Sequence, residues 1–146
     1  MKHLLATALF ILSTVCAYAQ NQLGLPQMIN YPHLSYKAGT QNWDTGQDAQ
    51  GIMYFGNNEG LLTFNGKFWH LYPLPNKTVV RSLEIDENGR IYVGGQDEIG
   101  YFFPNRSGDL IFHSLKHLIP ENERQFADIW NITVHKGQVF FRSIKK

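Results

Sequence analysis

Ile85-Asp86-Glu87-Asn88-Gly89-Arg90-Ile91-Tyr92-Val93-Gly94 has a counterpart earlier in the chain, Gln47-Asp48-Ala49-Gln50-Gly51-Ile52-Met53-Tyr54-Phe55-Gly56. Asp48 aligns with Asp86, Gly51 with Gly89, Tyr54 with Tyr92 and Gly56 with Gly94, at an offset of 38 residues. The likeness continues outward, where Asn58-Glu59-Gly60-Leu61 answers Glu98-Ile99-Gly100-Tyr101 with two extra residues in the second copy. A weaker third copy starts at Asp128-Ile129-Trp130, turns at His135-Lys136-Gly137 and ends with Gln138-Val139-Phe140-Phe141. A period of this length is the mark of stacked repeats.

Each copy reads as a run of short strands. Residues 80–86 alternate apolar and polar side chains, which predicts a half-buried strand. Asp86-Glu87-Asn88-Gly89 is then a tight turn, because glycine takes positive φ at no steric cost and the acidic side chain caps nearby backbone N–H groups. A second strand over 90–94 follows, rich in β-branched and aromatic residues. A third is expected over 100–103 and a fourth over 110–115, after a loop with Asn105 and Gly108. The first copy has the same order and ends on Lys67-Phe68-Trp69-His70-Leu71-Tyr72.

Four short antiparallel strands in about 40 residues is the unit of a propeller blade. The expected fold class is therefore all-β, a partial β-propeller of about two and a half four-stranded antiparallel blades. A generic antiparallel sandwich is the competing reading; the shared register of Asp, Gly, aromatic and Gly favours the propeller. The boundaries that follow are a signal peptide over 1–19, an N-terminal extended segment over 20–41, blade one over 42–79, blade two over 80–119 and an incomplete blade three over 120–146. Propellers close with four to eight blades. The chain is therefore expected to be a fragment of a longer protein, with a short self-assembling protein as the alternative.

The pattern Asp86-x-x-Gly89-x-Ile91-Tyr92-Val93-Gly94, followed by Gly100-Tyr101-Phe102, resembles the two-component regulator propeller repeat. Tyr54 and Tyr92 stand where that repeat usually has Trp, and Asn57 and Gly95 where it has Thr. Residues 38–103 look like the opening of large sensory regulators of Bacteroidetes-type bacteria. The resemblance implies a periplasmic propeller that senses a ligand, followed in such relatives by a triple-tyrosine domain, a membrane helix and a histidine-kinase or helix-turn-helix output.

The N-terminus agrees with export. Met1-Lys2-His3 is basic, residues 4–15 are an apolar run of about a dozen residues, and Ala17-Tyr18-Ala19 offers small residues at the −3 and −1 positions, which predicts cleavage after Ala19 and a periplasmic location. The run is too short to span ~30 Å of hydrocarbon, and no membrane span is expected after it. Cys16, in a poor lipobox, is the single cysteine and leaves with the signal, so no disulfide is expected. Without Lys2, 12 Lys and Arg face 12 Asp and Glu. No basic stripe is left for nucleic acid.

The loops joining second to third strands are expected to open on the same face as the starts of the innermost strands. That face would carry Asn57, Asn58 and Glu59 from the first copy and Gln96, Asp97 and Glu98 from the second. Trp43, Arg81 and Trp130 would stand at or near the starts of the innermost strands. Such a set suits an oligosaccharide or another periplasmic ligand, through amide and carboxylate hydrogen bonds and stacking on indole faces. Ordinary hairpin caps and core tryptophans are the plainer reading of the same residues. His113 and His117 lack a third ligand at metal spacing, and no metal or other cofactor is expected. Asp128, Glu123 and Arg124 read as solvated surface, with a helix-terminal charge cluster around residues 120–127 as the alternative. No catalytic motif is present.

The expected function is therefore an extracytoplasmic sensory segment whose partners are a ligand and the remaining blades of a longer chain or a second copy. Two alternatives stay open: an exported carbohydrate-active enzyme, with Glu59 and Glu98 as a carboxylate pair, and a passive interaction scaffold.

Overall fold

A computed structural model describes residues 28–144. The signal peptide expected over 1–19 lies outside the described residues. The chain divides into two units, Met1–Asn30 and Tyr31–Lys146; of the first, Met28, Ile29 and Asn30 are described and exposed. The second is almost entirely β-structure. Its described residues form two four-stranded antiparallel sheets and one two-stranded sheet.

Sheet one runs β1 (Asn42–Gln47), β2 (Met53–Asn57), β3 (Gly60–Phe64) and β4 (Trp69–Tyr72), each paired with the next. Sheet two repeats that order with β5 (Val80–Ile85), β6 (Ile91–Gly95), β7 (Ile99–Pro104) and β8 (Leu110–Ser114). Sheet three consists of β9 (Ile129–His135) and β10 (Gln138–Ser143).

The Asp-x-x-Gly turns are built alike. Asp48 Oδ1 accepts from Gln50 N and Ile52 N, both at 2.9 Å, and Asp86 Oδ1 accepts from Asn88 N and Arg90 N, both at 2.9 Å. Gly51 and Gly89 take φ of 85° and 78°. The carboxylate thus satisfies backbone donors that the tight loop would otherwise leave open. The third turn differs: Lys136 and Gly137 both have positive φ and join β9 to β10 as a two-residue hairpin of the primed type.

The sheets pack face to face, with β5 against β1 and β2, and β9 against β5 and β6. Strand alternation sends neighbouring side chains to opposite faces. Ile91 and Val93 therefore join Tyr54, Leu61, Leu83 and Phe102 in the core between sheets one and two, while Tyr92 joins Ile99, Phe126, Ile129 and Ile132 between sheets two and three. Close approach depends on glycine at one equivalent position. Gly56 opposes Asp44 and Gly94 opposes Ser82 in the ladders. A Cβ on Gly56 would lie 2.9 Å from Val80 O, and one on Gly94 would lie 2.6 Å from Ile129 Cβ. Each glycine is the seat for the first residue of the next sheet's leading strand. In sheet three the position opposite Asn131 is Arg142, which is exposed.

Sheet one's other face carries Phe55, Phe64 and Trp69, and Trp69 stacks on Phe64 at 4.3 Å. A one-turn helix, α1 (His33–Tyr36), brings Tyr31 and Tyr36 onto Trp69 at 5.4 and 5.6 Å. The segment expected to be extended therefore contains a helical turn, ended by Lys37 in the left-handed region at φ 48°. Asn57, wholly buried, fastens it: its Nδ2 donates to Gly39 O at 2.6 Å and to Asn42 Oδ1 at 2.7 Å. No helix among the described residues is long and apolar enough to cross a membrane.

Candidate functional site

Each leading strand carries a β-bulge at its start. Register slips between Asn42 and Asp44 in β1, between Val80 and Ser82 in β5, and opposite Ile129 and Asn131 in β9. The residue skipped each time is Trp43, Arg81 or Trp130. A bulged residue leaves the ladder and its side chain is re-aimed. Because β1, β5 and β9 lie side by side, three bulges bring three side chains together.

The Arg81 guanidinium carbon sits 3.9 Å from the Trp43 ring centroid and 5.0 Å from that of Trp130. The two indoles meet edge to face at 6.0 Å. Arg81 Nε donates to Asp128 Oδ1 at 3.2 Å, and the two side chains are 19% and 25% exposed. Trp43 Nε1 donates to Asn58 Oδ1 at 2.7 Å. The positive charge of Arg81 is thus matched by Asp128 and covered by ring faces. What is left to solvent is aromatic surface, with Trp43 37% and Trp130 39% exposed. Arg81 Nη1 is enclosed and has no hydrogen-bond acceptor among the described residues.

The nine residues singled out from the sequence divide into two groups. Trp43, Asn58, Arg81 and Trp130 come together, with Asn58 and Glu59 exposed on the adjoining loop. Asn57, Asp97 and Glu98 are taken up by the fold. Asn57 fastens the 39–42 segment, and its Oδ1 accepts from Glu59 N at 3.0 Å. Glu98 is buried, and its Oε1 accepts from Ser114 Oγ at 2.7 Å. Asp97 is left-handed at φ 52° and its Oδ1 accepts from Ala127 N at 2.6 Å, which clasps the chain entering sheet three. Gln96 forms a bridge with Asp128, and its carbonyl accepts from Asn76 Nδ2 at 3.0 Å.

Asp128 is the residue whose role the sequence concealed. It does not pair with Glu123 or Arg124. Arg124 Nε donates to Ile119 O at 2.9 Å beside a 3-10 turn at Glu121–Glu123, while Asp128 reaches Arg81, 47 positions away. Nothing local in the chain signals that partner. The repeat does not supply it either: Asp44, whose Oδ2 accepts from Leu83 N at 2.9 Å, corresponds to Ser82, whereas Asp128 stands two places before the bulged Trp130.

At the opposite end of the sheets, a cleft of about 590 Å³ opens between the Asp48 and Gly89 turns. Asp48, Tyr54, His70, Tyr72 and Asp109 line it. Tyr54 donates to Asp48 Oδ2 at 2.8 Å. Burial, then the Asp48 hydrogen bond and charge, push the Tyr54 phenol well above its ordinary value. Burial followed by the Asp109 charge raises that of Tyr72. Both phenols are held neutral, and that of Tyr54 donates to Asp48. Among the described residues no three His, Cys, Asp or Glu come together as metal ligands.

No protein-family model, curated protein or solved structure matches the chain.

Proposed function

We propose that the chain is part of an extracytoplasmic sensory β-propeller whose sheets are successive blades, and that the bulge cluster is its recognition surface for a neutral oligosaccharide. The blade reading is supported by the equal strand order of sheets one and two, by the adjacency of their leading strands, and by the repeated glycine seat. The observation that carries the ligand reading is the convergence of Trp43, Arg81 and Trp130 from three separate strands. Exposed indole faces take the C–H faces of sugar rings, and a pocket's few polar groups fix orientation. With Arg81 neutralised by Asp128, the surface attracts no anion, so uncharged glycans are favoured over uronates or sulfated sugars.

Calorimetric titration of the full chain with neutral and with sulfated oligosaccharides tests this. Neutral sugars should bind, and Trp130→Ala should weaken them at least tenfold while the far-UV spectrum is retained. Binding that prefers sulfated sugars, or that survives loss of both Trp43 and Trp130, overturns the ligand assignment.

A further inference from the structure

The hairpin turns of sheets one and two meet around the cleft of about 590 Å³, at the end of the molecule opposite the bulges. All four turns contribute to its rim, through Asp48, Asn65, Asn88 and Asp109. Its floor is the margin of the core between the two sheets, where Ile91 is buried and Ile52 and Leu110 are half-buried. Phe103, 39% exposed, also lines it, as does the stacked pair His70 and Tyr72. The cleft is thus apolar and aromatic below and polar at its rim.

The carboxylates of this cleft are Asp48 and Asp109, and no Lys or Arg lines it. Bases on the same turns are held elsewhere: Lys67 lies over the Phe68 ring at 5.0 Å and Arg90 over the Tyr101 ring at 5.5 Å. Asp109 is exposed, and its carboxylate has no hydrogen-bond or ion-pair partner among the described residues. The two charges come from different sheets and act on the same one. Beyond burial, the Asp48 hydrogen bond and charge raise the Tyr54 phenol, and the Asp109 charge, reaching across from sheet two, raises that of Tyr72. Two negative charges therefore stand over one apolar floor.

We propose that this cleft binds a small aliphatic diammonium ion, one end beside Asp48 and the other beside Asp109, with its methylene chain over Ile52 and Ile91. The paired carboxylates select the charges, and the apolar floor buries the chain between them. Aromatic side chains beside an ammonium group add cation–π attraction. A metal ion is a poorer occupant, since no three ligating side chains come together among the described residues. The inference stands apart from the oligosaccharide reading, because no bulge residue lines the cleft.

Calorimetric titration of the full chain with 1,4-diaminobutane tests it, at about 0.15 M ionic strength, where exposed charges are screened. One equivalent should bind, at least about fivefold more tightly than 1-aminobutane, because the monoamine gives up one charge pair. The uncharged 1,4-butanediol should not bind. Asp109→Asn should bring the diamine down to the affinity of the monoamine with the far-UV spectrum retained. Should that variant fail to fold, the three ligands still decide the matter on the unaltered protein. Glu121→Gln, which removes an exposed charge outside the cleft, and Trp130→Ala should both leave diamine binding unchanged. Absence of binding, equal binding of diamine and monoamine, binding of the diol, or indifference to Asp109→Asn overturns the proposal. So does an equal loss in Glu121→Gln, which marks an adventitious counterion only, or a loss in Trp130→Ala, which moves the site to the bulge cluster.

Discussion

Sheets two and three occupy similar places in the stack yet are finished differently. Sheet two has four strands, buries both faces and offers Gly94 to its neighbour. Sheet three has two strands, buries one face and offers Arg142 at the equivalent position. Phe140, the counterpart of Tyr92, is 53% exposed where Tyr92 is 8% exposed. The difference shows that burial here is a property of the junction rather than of the residue. An aromatic side chain at the same point of the repeat is core where a next sheet seats on a glycine, and exposed where no sheet among the described residues packs on it.

Breaking the junction should have the largest effect. Gly94→Val drives two methyl groups into Ile129, and overpacking with backbone displacement costs about 3 kcal/mol or more. Urea denaturation should show that loss, with near-UV signals from sheet three lost first. An unchanged midpoint would mean that the glycine seat does not hold the sheets together.

The turns are a finer test, because the two copies are not energetically equal. Asp48 accepts from two backbone N–H groups and from Tyr54, whereas Asp86 accepts from two backbone N–H groups and pairs loosely with Arg90 at 3.7 Å. Asp48→Ala also leaves a buried phenol without its acceptor, so it should cost about 2 kcal/mol against about 1 kcal/mol for Asp86→Ala. Thermal melts of the two variants, side by side, check the ranking.

Tyr54 adds a pH dependence to the first junction. Its folded pKa lies above the unfolded value near 10, so its contribution to stability is complete below about pH 10 and is lost as pH rises toward the folded value. Stability should hold to about pH 9.5 and fall beyond it. Tyr54→Phe should cost about 1 kcal/mol at neutral pH and flatten that alkaline fall. An equally steep fall in the variant would assign the effect to other groups.

The smallest effect belongs to the outer face of sheet three. Arg142→Ala removes an exposed side chain with no seat to protect and should change stability by less than about 0.5 kcal/mol. A large loss would show that the outer face of sheet three is engaged.

The amino-acid sequence alone determined the repeat and much of the local structure. Asp-x-x-Gly with its following alternation encodes a turn and two strands within about a dozen residues, because capping, positive φ and side-chain alternation all act between near neighbours. It also brought Trp43, Arg81 and Trp130 forward as leading-strand residues. What only tertiary structure decided is which of the marked side chains remain available. Asn57, Asp97 and Glu98 look like free loop groups in the sequence, yet each is held by a partner 16 to 30 positions away. Asp128 looked like solvated surface and instead neutralises Arg81. Register slips of one residue turned three separate side chains into one cluster, and such slips depend on how strands from distant parts of the chain pack, which no short stretch of sequence encodes.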